Sequence, residues 1–165
     1  MKYNPNIHNR RSIRLKGYDY TRPGAYFVTI CTQNRECLFG KIMNGEMKLN
    51  DAGRMVMKWR HELENKFPDI KINDFICMPN HIHFILINAP ATAPVYVVVQ
   101  WFKTMTTNEY IRGVKQHAWP PFPGKLWQRN YYERIIRNKT EFDKIRNYID
   151  KNPFHWHDDK NYTDS

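Results

Sequence analysis

The sequence lacks any apolar run long enough to cross a membrane. Its mean hydropathy is −0.76, and a membrane-spanning helix needs roughly 20 consecutive apolar residues, so an ordinary transmembrane protein is excluded. The first twenty residues hold no apolar core, which argues against a signal peptide. Its 3 cysteines include no C-x-x-C pair, which argues against a disulfide framework and a structural zinc finger. We therefore expect a cytoplasmic protein with no membrane partner.

Acidic residues are also scarce. The 165 residues contain 26 lysines and arginines but 16 aspartates and glutamates, a net charge of +10. This imbalance favours a polyanionic partner, with nucleic acid first, although a soluble protein that is merely basic is the alternative. Aromatic residues make up 15% of the chain. They argue against a disordered basic tail and suit the binding of single-stranded nucleic acid.

Three segments are predicted from the distribution of charge and apolar residues. Residues 1–22 form a basic arm with little apolar periodicity, residues 23–153 form one compact domain, and residues 154–165 form a polar tail. The arm is interpreted either as a segment that lies on a phosphate backbone or as a solvated, frayed terminus.

The compact domain is predicted to follow the order strand, hairpin, helix, strand, strand, helix, strand, helix. Apolar residues three to four apart predict helices over 51–66, 97–113 and 140–151, with Gly113 ending the second and Thr140 and Asp143 capping the third. Asn44-Gly45 is typical of a hairpin turn. Without that hairpin the order is βαββαβ, which predicts an α+β fold. We expect a ferredoxin-like (split βαβ) antiparallel sheet with two helices on one face, an extra C-terminal helix, and an opposite face open to nucleic acid.

Two histidines, His81 and His83, are two residues apart in an apolar run. In a strand they point to the same face, which suits two ligands of a single divalent cation. Imidazoles buried in such a run need partners, so a pair of satisfied core histidines is the alternative interpretation. Pro79-Asn80 predicts a bend that opens access to this strand.

The last predicted helix is expected to supply a nucleophile and a third ligand. Tyr148 and Asn152 are four residues apart and therefore project from the same side of the helix. A packed, amphipathic tyrosine is the alternative. A second pair, His155 and His157, precedes two aspartates in the polar tail. We interpret that segment as an exposed tail rather than a surface metal site.

Longer motifs resemble a known family. M-P-N-H-I-H-F-I-L over 78–86 resembles the HUH motif (His, bulky apolar, His) of single-tyrosine transposases. W-Q-R-N-Y-Y-E-R-I-I-R-N over 127–138 and I-R-N-Y-I-D-K-N-P over 145–153 resemble the C-terminal signature of REP-associated tyrosine transposases, the RAYT group. Residues 10–40 resemble the N-terminal region of the same group. The similarity runs from residue 10 to residue 153.

The resemblance implies a role for each matched residue. His81 and His83 bind Mg²⁺ or Mn²⁺, Asn152 completes the metal site, and Tyr148 is the nucleophile. The implied activity is that of a metal-dependent endonuclease and strand transferase, which cuts single-stranded DNA near hairpins through a 5′-phosphotyrosine and a free 3′-OH. One departure from the group is the stretch over 88–95, which is short beside many relatives. If that loop helps to hold the DNA hairpin, its short length affects the binding of the substrate but not the cleavage chemistry.

The implied substrate is single-stranded DNA with imperfect palindromic hairpins of the REP type, which suggests a nucleoid-associated protein. A monomer and a homodimer that swaps its tyrosine helix both remain open. Bases could stack on Trp101, Trp119 and Trp127, or these residues belong to the core. Phosphate contacts are expected from seven cationic side chains: Arg10, Arg11, Arg14, Lys16, Arg129, Arg134 and Arg137.

Two other functions remain compatible with the sequence. A non-catalytic protein that binds REP hairpins would have no need of all four site residues. A metallonuclease that uses water would need a carboxylate cluster near the histidines, and the sequence places none beside them.

Overall fold

A computed structural model describes residues 24–90 and 93–164. The predicted basic arm, including Arg10, Arg11, Arg14 and Lys16, lies outside the described residues. The helices and strands are β1 (Gly24–Cys31), β2 (Gly40–Met43), β3 (Glu46–Leu49), α1 (Asp51–Lys66), β4 (Ile70–Cys77), β5 (His81–Asn88), α2 (Val95–His117), β6 (Tyr132–Ile136) and α3 (Lys139–Lys151).

Four strands form one sheet in the order β4-β5-β1-β6, and each neighbouring pair is antiparallel. The strands β2 and β3 form the separate hairpin predicted at Asn44-Gly45. The described elements therefore follow the predicted βαββαβ order, with α3 added at the end. In the register of β1 and β5, Thr29 faces His83 and Cys31 faces His81. Both histidines thus lie at the end of the sheet where β1 finishes and β5 begins.

The two faces of the sheet carry different helices. Side chains alternate along each strand, so Tyr26 and Val28 pack in the larger core with α1 and α2. Phe27 points to the opposite face, where Ile85 and Ile149 form a smaller core with α3. The two-helix layer was predicted, but the expectation that the other face stays open is wrong where α3 covers it.

The helix ends show which side chains satisfy the free backbone groups. Asn50 caps α1, since its Oδ1 accepts a hydrogen bond from Gly53 N at 2.9 Å. The helix α3 begins before the predicted cap. Asn138 Oδ1 accepts from Glu141 N, and Glu141 Oε2 accepts from Arg137 N, both at 2.9 Å. These two bonds cap the start of α3 in place of Thr140 and Asp143, and they differ from a standard capping box because Glu141 accepts from the residue before the N-cap.

The helix α2 runs past Gly113, where the sequence predicted its end, and continues to His117. Ala118 takes the left-handed conformation that ends it, with φ of 53°. Gly113 is instead a close-packing position, because a Cβ built on it would lie 2.2 Å from the Trp119 ring. Within the described residues, no helix is long and apolar enough to span a membrane.

Candidate active site

The two predicted histidines lie side by side on the face of the sheet that carries α3. Their Nε2 atoms are 3.0 Å apart, and both side chains are buried. Burial lowers the pKa of each imidazole below its usual range. Both rings are therefore neutral at pH 7, and neutral imidazoles have a nitrogen lone pair available for a metal.

Asn80 fixes the tautomer of His81. The amide nitrogen of Asn80 donates to Arg35 O at 3.0 Å and to Asn161 O at 2.8 Å. Its oxygen therefore faces His81 Nδ1, at 2.7 Å. Because an amide oxygen can only accept, His81 Nδ1 carries the proton and Nε2 keeps its lone pair. The sequence placed Asn80 in a bend and missed this role.

Thr29 holds the second imidazole. Thr29 Oγ1 lies 2.7 Å from His83 Nδ1, so the threonine faces the nitrogen that is turned away from His81. The hydroxyl can donate or accept, which allows His83 to place its own proton on either nitrogen. The ring of His83 is stacked on Phe27, with centroids 5.3 Å apart.

Tyr148 reaches this pair from α3. Its ring packs edge-on against His83 and Phe27, with centroids 5.3 and 6.1 Å away, while 42% of the residue stays exposed. The hydroxyl donates to Asp159 Oδ2 at 3.5 Å. Burial and the Asp159 carboxylate raise the pKa of Tyr148 to about 12, so the phenol is protonated at neutral pH.

Asp159 lies between Tyr148, Asn152 and His81. Its Oδ2 accepts from Asn152 Nδ2 at 2.8 Å and lies 3.8 Å from His81 Nε2. Its other oxygen accepts from Asn161 N at 2.7 Å. The carboxylate side chain is only 1% exposed. Asp159 is therefore the central residue of the cluster, although the sequence analysis placed it in an exposed tail.

The segment after α3 covers the histidines. Trp156 is buried and stacked on His81, with ring centroids 5.9 Å apart. Asn161 is also buried. The interpretation of this segment as an exposed tail is thus wrong for these residues, although His155 and His157 are exposed as expected. A tryptophan within a polar stretch was the one available signal of packing.

The donor atoms of this cluster suit a metal. Ligand atoms of His81, His83 and Asp159 all lie within 4.8 Å of one another. Asn152 Oδ1 is buried and has no hydrogen-bond partner among the described residues. Such an orphaned oxygen is costly unless a cation or a water satisfies it. Asn152, predicted as the third ligand, is therefore positioned by Asp159 and has a free acceptor.

The predicted DNA contacts within the described residues lie before, within and after β6. Arg129, Arg134 and Arg137 are all exposed. Arg134 forms an ion pair with Glu141 at 2.9 Å. The three tryptophans proposed for base stacking pack against the larger core instead: Trp101, Trp119 and Trp127.

Comparisons with known proteins identify the family of this chain and a relative. The family described as transposase IS200-like matches residues 21–152. An uncharacterized protein of Haemophilus influenzae (strain Rd) is 40% identical over 177 aligned positions, which cover 99% of this chain and 98% of that protein.

Two solved structures are similar to this chain. One is the REP-associated tyrosine transposase bound to a REP hairpin, with a TM-score of 0.64 and 19% identity over 85% of this chain and 72% of that one. The other is a protein of Deinococcus radiodurans R1 assigned as a transposase, with a TM-score of 0.52 and 16% identity over 83% and 95%. At these identities, the structures establish a shared fold.

Proposed function

The chain belongs to the family of IS200-like transposases, and from this we propose that it is a metal-dependent endonuclease and strand transferase that acts on single-stranded DNA through Tyr148. One observation carries the proposal. The Tyr148 hydroxyl and His81 Nε2 lie 3.5 and 3.8 Å from the same oxygen, Asp159 Oδ2. The nucleophile, two neutral imidazoles and a carboxylate are thus proposed to form one site.

We propose that His81, His83 and Asp159 hold Mg²⁺ or Mn²⁺, and that Asn152 adds its amide oxygen. The fit is supported by the orphaned Asn152 Oδ1 and by the lone pair that Asn80 leaves on His81 Nε2. When bound, the cation would polarise the scissile phosphate and offset its developing charge. Two nitrogen donors favour Mn²⁺ more than an all-oxygen site does.

In the proposed reaction, the phenolic oxygen of Tyr148 attacks the scissile phosphorus. The new bond is a 5′-phosphotyrosine, the bond from phosphorus to the 3′-oxygen breaks, and that oxygen takes a proton from water to become a free 3′-OH. The phenol gives its proton to water, so that the Asp159 carboxylate that it faces remains a ligand for the cation. The pKa of Tyr148 is raised to about 12, so the phenol is protonated before the attack. The phosphoester is conserved, so rejoining the strand needs no ATP.

The proposed substrate is DNA with REP-type hairpins. Support comes from the RAYT-like motifs over 127–138 and 145–153 and from the similar structure that is bound to a REP hairpin. The exposed Arg129, Arg134 and Arg137 are proposed to contact phosphates, together with the cations of the basic arm.

Covalent trapping tests the proposal. A labelled single-stranded REP hairpin is incubated with protein and Mn²⁺ or Mg²⁺, and the products are separated on a denaturing protein gel. We expect a metal-dependent shifted band that EDTA and Tyr148→Phe abolish. Tyr132→Phe is the matched control, because Tyr132 is also an exposed tyrosine at this end of the sheet and should leave the band intact.

Two results would contradict the proposal in different ways. Cleavage by Tyr148→Phe that yields free 5′-phosphates would indicate a hydrolytic metallonuclease. Tight binding of hairpins without a covalent band, across a panel of oligonucleotides, would indicate a non-catalytic DNA-binding protein.

A further inference from the structure

A basic pocket of about 360 Å³ lies between α2 and the loop that precedes β6. Three cationic side chains line it: Lys103, Lys125 and Arg129. Its remaining polar side chains are amides and hydroxyls, and no carboxylate is among the described residues that line it: Gln100, Thr104, Thr107 and Asn108. A pocket with several donors and no acid is suited to an anion.

The wall of this pocket is built in advance of any ligand. Lys103 Nζ donates to Gln128 O at 2.7 Å and to Arg129 O at 3.0 Å, which ties the loop to α2. Burial and the neighbouring Lys125 lower the pKa of Lys103 to about 8. An anion placed between these ammonium groups would offset their repulsion, and a wall that is already ordered lowers the entropy cost of binding.

The same loop reaches the catalytic end of the sheet. Gln128 N donates to Cys31 O at 2.8 Å, and Gln128 Nε2 donates to Thr32 O at 3.1 Å. Cys31 faces His81 across the sheet. On the strand that follows this loop, the exposed ring of Tyr132 lies 5.1 Å from Lys160 Nζ. The loop therefore connects the pocket to the end of the sheet that carries the histidines.

We propose that this pocket binds a backbone phosphate of the DNA whose scissile phosphate is presented to Tyr148. The inference rests on the proposed function for its substrate, but the pocket is a second contact, separate from the catalytic cluster. Its role is to hold the strand rather than to take part in the chemistry, because none of its side chains touches the histidines, Tyr148 or Asp159 through any described contact.

The test uses the double variant Lys125→Gln/Arg129→Gln. Lys103 is kept because it also supports the loop. The matched control is Lys66→Gln/Lys71→Gln, which removes the same charge from exposed positions at the end of α1 and on the edge strand β4. Every protein also carries Tyr148→Phe, so that binding of a fluorescent REP hairpin is measured by anisotropy at several salt concentrations without cleavage.

We expect the affinity of the pocket variant to fall by about 5- to 8-fold at roughly 0.1 M salt for each phosphate contact that is lost. The slope of log K against log salt should become shallower by about 0.7 to 0.9 per contact. The control should bind like the parent.

Equal affinities and slopes for the pocket variant and the control would overturn the inference. A second measurement compares the rise in Tm that inorganic phosphate causes in each protein. If the pocket variant loses this rise but binds the hairpin like the control, the pocket is a site for a free anion and the inference is overturned. A failure of the proposed function would look different, because wild-type protein would bind the hairpin but form no covalent band.

Discussion

Replacing Asp74 by asparagine is expected to weaken the attachment of α3 to the sheet. Asp74 Oδ2 lies 2.9 Å from Arg146 Nε, and Arg146 precedes Tyr148 by two residues on α3. Asp74 occupies a bulge in β4, with φ of 43°, a left-handed conformation that asparagine adopts about as readily. The variant therefore removes the charge and keeps the backbone.

The size of the effect follows from the exposure of the pair. The Asp74 side chain is 13% exposed, but that of Arg146 is 49% exposed, so solvent screens the attraction. We expect a loss near the upper end of the range for surface pairs, about 1 kcal/mol, which lowers Tm by about 2 to 4 °C. A misplacement of a reacting group by about 1 Å costs on the order of 100-fold in rate. We expect a smaller displacement of Tyr148, which lowers the rate of covalent attachment by about tenfold.

The assay is a double-mutant cycle of Asp74→Asn and Arg146→Gln, measured by urea denaturation. It is combined with single-turnover attachment to saturating DNA. Asp143→Asn is the control, because it removes an exposed ion pair with Lys139 on the same helix and should change both quantities less. The reasoning is refuted if the losses in the free energy of unfolding of the two single variants add up to the loss in the double variant to within about 0.2 kcal/mol. It is also refuted if the attachment rate does not change.

Three other predictions concern the site, the core and pH. Asp159→Ala should weaken Mn²⁺ binding in calorimetric titration by at least about tenfold, as the loss of supporting ligand contacts does elsewhere; an unchanged affinity would exclude this carboxylate as a ligand. Gly113→Ala should lower the free energy of unfolding by about 1 to 3 kcal/mol in urea, because the added methyl meets the Trp119 ring; a gain from alanine's helix propensity would contradict this. The pKa of Lys103 is lowered to about 8 from 10.5, so the unfolded chain binds more protons between these values. This group should therefore make the protein more stable as pH rises from 8 to 10.5, a trend that Lys103→Gln should reduce in urea denaturation at both pH values.

Local patterns in the sequence predict most of the fold. The apolar spacing over 51–66 matches α1. The end of α2 was misplaced because a glycine in a helix has two uses, as a cap or as a site of close approach. Only the position of Trp119 in space decides that Gly113 has the second use.

The residues of the candidate site could be predicted from the sequence to different degrees. The two-residue period of a strand predicts that His81 and His83 share a face, and the four-residue spacing of a helix pairs Tyr148 with Asn152. No such period links Asp159 to any of them. Asp159 meets His81 only because α3 docks on the sheet and the chain then turns back, which is a tertiary event that spacing does not encode.

The central position of β5 gives the two halves of the candidate site different local stabilities. β5 is hydrogen-bonded to both β4 and β1, so its amides exchange hydrogen with solvent only when the sheet opens. The helix α3 is held mainly by Phe142, Ile145 and Ile149 and by two partly exposed ion pairs, one to β4 and one to β6, so a smaller opening exposes it.

We therefore expect Tyr148, the proposed nucleophile, and the histidines to belong to separate cooperative units. If a DNA end is joined to Tyr148 as proposed, an opening of α3 would carry that end away from the histidines while the sheet stays folded. The rate at which the amides of α3 take up deuterium would then set an upper limit on the rate at which the joined DNA end moves away from the histidines.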